Sequence, residues 1–316
     1  MKTPARGGNS PSNDKCSAGL VLYFESSDQA RHILILTEPD MTLPYEGHNG
    51  EPQQWTFRSR FSLAMQLVRR EVVGRYKGSM LGILWSLLTP LFMLGVYTFV
   101  FGMVFKARWA GAAEDTSMAE FAITLFAGLI MFQLFAEVVS RAPMLVLSNP
   151  NYVKKIVFPL ETLVPVALGA ALFHTGLSLV VLIVFMLPVY GSVPMTALLL
   201  PLVLVPYCLS ILGLSWFLAS FGTYVRDIGQ ILGTIITALM FLSPIFFPLS
   251  ALPDWLQPWL ALNPIALPVE QARNVLLFGQ LPDMGPLALY SLASLALAVL
   301  GFQFFQKTRK GFADVL

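Results

Sequence analysis

The longest uncharged run in the chain covers residues 162–225. These 64 residues include no aspartate, glutamate, lysine or arginine. Helices of soluble proteins keep a polar stripe towards water, whereas a helix in lipid is stable with an apolar surface all round. Residues 188–194, Pro-Val-Tyr-Gly-Ser-Val-Pro, lie near the middle of the run and are typical of a tight turn. The run therefore predicts two membrane-spanning helices joined by a turn.

The rest of the chain has the same character, with 56% hydrophobic and 12% charged residues. This composition is typical of a polytopic membrane protein. Six segments of about 19 to 26 residues are long enough to cross a ~30 Å hydrocarbon core. We therefore expect an all-α membrane protein with six transmembrane helices, at 80–105, 119–139, 162–187, 197–222, 228–248 and 287–305.

Three regions divide the chain in this interpretation. Residues 1–54 form an N-terminal extension to which the sequence assigns no role. Residues 55–78 carry apolar side chains at steps of three and four, which predicts an amphipathic interfacial helix with its apolar stripe in lipid and a Glu71–Arg75 pair within the helix. The stripe consists of Phe57, Phe61, Met65, Val68, Val72 and Tyr76. Residues 79–316 form the six-span domain.

The distribution of positive charge predicts the orientation. Thirteen lysines and arginines fall on one side of the predicted topology and only Lys106, Arg108 and Arg273 on the other. Short loops rich in positive charge stay in the cytoplasm. Both termini are therefore expected to be cytoplasmic.

The connection between the fifth and sixth predicted spans, residues 243–286, is unusual. It contains prolines at 244, 248, 253, 258, 264 and 268 among aromatic and aliphatic residues. A solvated loop would be more polar, so the pattern predicts short re-entrant helices that are interrupted by proline and packed against protein.

Motifs for nucleotide chemistry are absent from the sequence. Residues 74–78, Gly-Arg-Tyr-Lys-Gly, lack the spacing of a phosphate-binding P-loop, and no G-x-G-x-x-G opens a helix after a strand. We therefore expect no ATP hydrolysis by this chain alone, no catalytic residue, no metal site and no nucleic-acid partner. His174 is the only ionisable residue deep within a predicted span, where it is either a neutral imidazole bonded to a neighbouring helix or a proton relay or substrate contact.

The predicted cytoplasmic connection 147–161 has strong helix signals. Ser148 or Asn149 can cap a short helix, Pro150 suits its first position and Pro159 ends it. Two interpretations remain open. The segment is either an ordinary turn held at the surface by Lys154 and Lys155, or a short amphipathic helix that docks into a cytoplasmic partner subunit.

Several motifs in order resemble one family. They are 69–91, which begins Arg-Arg-Glu-Val-Val-Gly-Arg-Tyr-Lys-Gly, then 97–106, 149–159, Arg-Asp-Ile at 226–228, Ser-Pro-Ile-Phe-Phe-Pro at 243–248 and Leu-Asn-Pro at 262–264. Over residues 55–316 the chain resembles the permease subunits of bacterial polysaccharide ABC exporters, chiefly those for O-antigen, with capsule and teichoic acid exporters as relatives.

The resemblance implies a specific assembly. Such permeases are homodimers in the inner membrane, and each dimer binds two copies of a separate ATPase subunit that holds ATP and Mg²⁺. The connection described above would be the coupling helix seated on the ATPase, formed by Asn151, Tyr152, Val153, Lys154, Lys155 and Ile156. The proline-rich connection would form gate helices that cap a pore at the dimer interface.

A polysaccharide on undecaprenyl diphosphate would need an anion site and an aromatic path. Arg69, Arg70, Arg75 and Lys77 are candidates for the diphosphate headgroup, although they also satisfy the positive-inside rule without any ligand. Aromatic side chains stack on the apolar faces of sugar rings, and this contact does not depend on which sugar is present. The candidates for pore or gate lining are Tyr97, Phe101, Phe246, Phe247, Trp255 and Trp259.

Three alternatives compete with O-antigen export. A related ABC exporter could carry capsule, teichoic acid, another lipid or a drug, and the permease sequence does not separate these substrates. A membrane enzyme acting on polyprenyl lipids could use His174, Glu137 or Glu161 as acid or base. A proton-coupled carrier would need intramembrane charges and an internal repeat, and the sequence shows little of either.

Overall fold

The computed structural model describes residues 57–104, 118–154, 158–247 and 263–315, and in these segments it contains helices and turns but no strand. The predicted extension 1–54 lies outside them. The ten α-helices of the described part are α1 (Phe57–Tyr76), α2 (Trp85–Tyr97), α3 (Met118–Arg141), α4 (Pro150–Lys154), α5 (Leu163–Tyr190), α6 (Leu200–Tyr224), α7 (Ile228–Leu242), α8 (Ala266–Leu276), α9 (Met284–Thr308) and α10 (Phe312–Val315).

Four helical segments of the described chain are long and apolar enough to cross a membrane. They are Met118–Met144, Leu160–Tyr190, Met195–Tyr224 and Met284–Gly311. The other two predicted spans correspond to shorter apolar helices, Trp85–Val100 and Ile228–Leu242. The all-helical class is confirmed, whereas the count of six spans stays a prediction.

Local chemistry explains two of the observed helix ends. The α5 helix continues past Pro188 to Tyr190 and ends at Gly191, whose φ of 73° is a left-handed conformation that suits glycine. The turn predicted at 188–194 is therefore present, but it begins after Pro188. Helix α7 ends at Ser243, which is extended because a residue before proline avoids the helical region, and Pro244 follows it.

Helix α3 is the central helix of the bundle. Most of its side chains from Phe121 to Val139 are buried, and α2, α5, α6, α7 and α8 all pack against it. This burial on every side explains why α3 has no polar stripe along most of its length. Helices α5, α6 and α9 keep large exposed apolar surfaces, as expected of helices that face lipid or another subunit.

Helices α6 and α9 meet through two glycines. A Cβ atom on Gly301 would lie 2.1 Å from the Gly213 carbonyl oxygen, and one on Gly213 would lie 2.5 Å from the Leu297 carbonyl. The two backbones are therefore in direct contact. Side-chain hydrogen bonds support the same interface, with 2.9 Å between Ser210 Oγ and Tyr290 Oη and 2.8 Å between Ser220 Oγ and Thr308 Oγ1.

Helix α8 lies in the predicted re-entrant region and is fixed by a buried arginine. Arg273 is only 4% exposed, and its guanidinium donates to the carbonyl oxygens of Thr124, Pro244 and Ile245 at 3.0, 2.5 and 2.7 Å. These contacts join α8 to α3 and to the end of α7. The sequence placed Arg273 in an external connection, and the structure shows it bonded within the protein interior. Residues 248–262 of that connection lie outside the described part of the chain.

A second, smaller core lies beside α4 and the C-terminal residues. It includes Phe305 and Phe312, which have no exposed surface, and Tyr152 and Val153 of α4 pack against it. A salt bridge of 2.8 Å joins Arg309 Nη1 to Glu161 Oε2 beside this core. The C-terminal segment thus packs against α4 through this core.

Candidate functional site

An open cavity of about 370 Å³ lies between α1, α3 and α7. Its lining is polar on the α1 and α3 sides, while α7 contributes a glycine and an apolar residue. The lining residues are Arg75, Gln133, Ala136, Glu137, Ser140, Arg141, Gly233 and Ile236. Two arginines and the mostly buried carboxylate of Glu137 share this cavity, which has room for a ligand.

Helix α1 reaches the cavity because the second half of its apolar stripe packs on protein. Val72 is buried, Val68 lies against Gly169 of α5 and the Tyr76 ring contacts His174 edge on. Phe61 and Met65, in the first half, are exposed. The sequence predicted the whole stripe in lipid, so the prediction is wrong for the second half. The glycine at 169 lets α1 approach α5, a feature that the periodicity of α1 does not show.

The end of α1 carries a polar network with α3 and α5. Arg75 Nη2 lies 2.6 Å from Glu137 Oε1, and Arg75 Nη1 lies 3.0 Å from His174 Nδ1. The same Nδ1 is 3.2 Å from Glu137 Oε1, and Tyr76 Oη is 3.1 Å from His174 Nε2. His174 is therefore bonded to two neighbouring helices, α1 and α3.

A second ion pair lies beside the first. Arg141 of α3 donates to Glu71 of α1. The later residue of α1 thus pairs with the earlier residue of α3, so the two helices run antiparallel here. Each helix carries one Glu-x-x-x-Arg pattern, and the glutamate of each helix pairs with the arginine of the other. The sequence predicted Glu71 and Arg75 as partners within α1, but both side chains bond across to α3. We name Glu71, Arg75, Glu137 and Arg141 the crossed pairs.

Arg141 also has a free donor. Its Nη1 atom is buried and has no hydrogen-bond partner among the described residues. Buried donors are nearly always paired, so this unpaired donor leaves Arg141 able to bond one more acceptor after a small side-chain rotation. Sequence reasoning missed Arg141, Gln133 and Ser140. The repetition of Glu-x-x-x-Arg at 71–75 and 137–141 is the signal that could have found Arg141.

The four residues predicted for a lipid headgroup lie in different surroundings. Only Arg75 lines the cavity. Arg70 Nη2 donates to Tyr152 Oη at 2.6 Å, which links α1 to α4. Arg69 and Lys77 are exposed. The structure thus places the predicted residues along one helix but brings only one of them to the cavity.

Helix α4 is the predicted coupling helix. It begins at Pro150, as predicted, and includes Asn151, Tyr152, Val153 and Lys154, while Lys155 and Ile156 lie outside the described residues. Tyr152 stacks on Phe158 at 4.5 Å between ring centroids. The side chains of Ser148 and Asn149 do not cap α4 as predicted. They donate instead to the carbonyls of Met144 and Leu145 in the preceding turn.

The predicted pore aromatics lie in several places. Tyr97 and Phe246 are partly buried against the main core, and Phe246 stacks on Phe241 at 5.7 Å. Phe247 is partly buried. The Phe101 side chain and residues Trp255 and Trp259 lie outside the described part, so these aromatics stay predictions.

The acid and base candidates of the enzyme alternative separate into two places. Glu137 and His174 are together beside the cavity, whereas Glu161 pairs with Arg309 at the second core. Within the described residues there is no group of three or more histidine, cysteine or carboxylate side chains that could hold a metal ion.

Comparison with known proteins adds the family. The profile of the ABC-2 type transporter family matches residues 62–277, more than half of the chain. The chain is 28% identical to the O-antigen export system permease protein RfbA of Myxococcus xanthus over 255 residues, 80% of this chain and 94% of that protein. It is 24% identical to RfbA of Klebsiella pneumoniae, covering 81% and 95%, and 28% identical to the polysialic acid transport protein KpsM of Escherichia coli, covering 72% and 88%.

The matched region runs from α1 through α8 and so includes the cavity, the crossed pairs and α4. The resemblance inferred from the sequence motifs is confirmed. The four long apolar helices fit a multi-pass transporter permease. This chain belongs to the ABC-2 type transporter family.

Proposed function

We propose that this chain is the membrane subunit of an ABC exporter that moves undecaprenyl-diphosphate-linked polysaccharide, most specifically O-antigen, from the cytoplasm to the periplasm. The family match and the names of the relatives from Myxococcus xanthus and Klebsiella pneumoniae support this substrate. The chain works as a homodimer in the inner membrane, with six spans in each copy and both termini in the cytoplasm.

Two copies of a separate ATPase subunit supply the energy. The sequence carries no P-loop, so ATP and Mg²⁺ bind to the partner. Asn151, Tyr152, Val153, Lys154, Lys155 and Ile156 form the contact with it. This assignment rests on how α4 packs. Asn151 is exposed, whereas Tyr152 and Val153 pack on the second core. A helix held in this way can transmit a displacement to the bundle instead of yielding locally.

The cavity between α1, α3 and α7 supports the lipid-linked substrate. Arg69 on α1 and Lys77 just after its end are exposed and attract an anionic headgroup at the membrane surface. Arg70 and Arg75 lie between them on α1, and Arg75 reaches the cavity. Arginine binds phosphate oxygens through two parallel donors. The sugars then follow a path lined by aromatic side chains, for which Tyr97, Phe101, Phe246, Phe247, Trp255 and Trp259 remain the candidates.

A capsular polysaccharide is the second candidate substrate. The likeness to KpsM, a polysialic acid transport protein, favours it. The anionic end of either polysaccharide would bind in the same cavity. The two substrates are therefore distinguished by identifying the glycan that is exported. The measurement compares the surface glycans of the wild type and of a strain that lacks this permease. Loss of the long-chain bands of lipopolysaccharide identifies an O-antigen, and loss of the capsular layer alone identifies a capsule.

The test of the assembly is a double substitution on α4 and its flank. We expect Lys154→Ala with Lys155→Ala to reduce polysaccharide export at least about tenfold, because two charge-assisted contacts worth a few kcal/mol in total are lost at a subunit interface. Export is measured as surface polysaccharide, and co-purification with the cognate ATPase subunit reports assembly.

The matched control is Lys307→Ala with Lys310→Ala, which removes the same charge near the end of α9. We expect this control to export normally. Equal export by both variants and the wild type, together with no ATPase subunit in the purified complex, would overturn the proposed assembly.

A further inference from the structure

We infer that the crossed pairs form a displaceable latch: a diphosphate headgroup binds in the cavity to Arg75 and Arg141 in place of Glu137 and Glu71, and thereby releases α1 from α3. The inference rests on the proposed function, since it takes the lipid diphosphate as the ligand. It adds Arg141, which the headgroup prediction did not contain. In the absence of the ligand, the two glutamates occupy the positions at which the diphosphate would bind the arginines.

The cavity has the size and the donors that this ligand needs. A diphosphate group has about nine heavy atoms, each needing less than the ~30 Å³ that a water molecule occupies in the liquid, so it fits within about 370 Å³. Arg75 and Arg141 line the same cavity, together with the amide of Gln133 and the hydroxyl of Ser140. The unpaired Nη1 of Arg141 is a donor that no described residue uses.

The existing ion pairs are exchangeable. The side chains of Arg75 and Arg141 are 38% and 37% exposed, and those of their partners Glu137 and Glu71 are 10% and 25% exposed. Water and salt therefore reach the arginine side of each pair, and this screening lowers the net stability that the pair contributes. A diphosphate offers each guanidinium two oxygens and carries more negative charge than one carboxylate, so it competes well for both arginines.

Glu137 keeps a partner after the exchange. In the structure, His174 Nδ1 lies 3.0 Å from Arg75 Nη1 and 3.2 Å from Glu137 Oε1, and Nε2 lies 3.1 Å from Tyr76 Oη. When Arg75 turns to a diphosphate, a proton on Nδ1 lets His174 donate to Glu137, while Nε2 accepts from the Tyr76 hydroxyl. Glu71 is 25% exposed and becomes hydrated. The latch therefore opens without leaving a carboxylate buried and unpaired.

Release of α1 has a consequence for α4. Arg70, the residue before Glu71, donates to Tyr152 of α4. Helix α1 stays packed on α5, so the exchange shifts only its end relative to α3, and this shift acts on the proposed ATPase contact through Arg70. The latch thus gives a physical route by which an occupied cavity reports to the ATPase subunit.

The test is equilibrium binding of undecaprenyl diphosphate to the purified permease and ATPase complex in phosphatidylcholine nanodiscs. We expect Glu137→Gln to bind the lipid about fivefold more tightly than wild type, because the substitution removes the competing anion but keeps the side-chain shape. Arg75→Gln and Arg141→Gln should each bind at least about tenfold more weakly, because each loses a charge-assisted contact. Inorganic diphosphate, as a free anion, should bind at least about tenfold more weakly than the lipid.

The matched controls are Glu161→Gln and Arg309→Gln, which break an ion pair of the same kind away from the cavity. Their lipid affinity should equal that of the wild type. Tighter binding by Glu137→Gln cannot come from misfolding, so this variant keeps the test informative even if the arginine variants are unstable.

Three results would overturn a claim, and they are distinguishable. If wild type binds the lipid but Glu137→Gln binds it equally or more weakly, the latch is wrong and the proposed function stands. If inorganic diphosphate binds as tightly as the lipid, the ligand is a free anion instead of a lipid headgroup. If the assembled wild-type complex hydrolyses ATP but binds no undecaprenyl diphosphate, the proposed substrate class is wrong.

Discussion

Replacement of Gly301 with leucine is expected to prevent the bundle from folding. The α6 and α9 backbones touch at this residue, and even a Cβ atom there would lie 2.1 Å from the Gly213 carbonyl oxygen. The neighbouring atom belongs to a backbone and cannot rotate away. Overpacking in a core typically costs about 1–3 kcal/mol when side chains can adjust, so we expect about 3 kcal/mol or more here. The measurement is the yield of monodisperse permease after solubilisation and size-exclusion chromatography.

A matched control separates this packing effect from a general intolerance of side chains at helical glycines. Gly176 of α5 is also within a long apolar helix, but no atom lies within 4 Å of a Cβ built there. We expect Gly176→Ala to give the wild-type yield, and Gly301→Ala to fall between wild type and Gly301→Leu. A wild-type yield from Gly301→Leu would show that α6 and α9 are not in backbone contact.

Replacement of Arg273 with methionine is expected to detach α8 from the rest of the bundle. Methionine has a similar length but no donor, so the carbonyls of Thr124, Pro244 and Ile245 lose the hydrogen bonds that Arg273 gives them. Each buried acceptor left without a donor costs about 1–3 kcal/mol. We expect a loss of about 3–5 kcal/mol, observed as a lower temperature of unfolding in detergent and as faster proteolysis in the 243–286 connection.

Arg273→Lys tests whether geometry or charge is responsible. Lysine keeps the positive charge but lacks the planar fork that reaches three carbonyls in different directions, so we expect an effect nearly as large as that of methionine. Gly128→Ala provides a second approach, because a Cβ there would lie 2.3 Å from Arg273 Nη2 and push the guanidinium off its acceptors. If Arg273→Lys and Gly128→Ala both match the wild type, the carbonyl contacts do not hold α8.

The Arg273 contacts and the crossed pairs lie at opposite ends of α3. Arg273 fixes α8 against the first part of α3 and the end of α7. Helix α3 contacts both sites, since Thr124 accepts from Arg273 near its start while Glu137 and Arg141 lie near its end. The central helix therefore joins the cavity to the region predicted to form the external gate.

Several features of this protein followed from sequence alone because they depend on local chemistry. The uncharged run 162–225 forms two long helices, since apolar residues on every face need lipid or protein around them. A turn follows the first of them within 188–194, as predicted, although the helix continues past Pro188 to the left-handed Gly191. Pro150 begins α4 because the first turn of a helix needs no donor at that position. The ordered motifs also identified the family before any contact was known.

Other features were decided only by the tertiary structure. Glu71 and Arg75 have the correct spacing to pair within α1, yet each bonds to α3. Packing of Val68 on Gly169 holds α1 against α5, and α5 in turn packs on α3, so the end of α1 comes to lie beside α3. Arg273 was counted as an external charge, but three carbonyls from distant segments surround it. The physical reason is the range of the interactions. Helix formation and turns depend on residues within about one turn of each other, whereas a cavity or an ion pair between helices depends on which helices become neighbours, and that is set by the packing of the whole bundle.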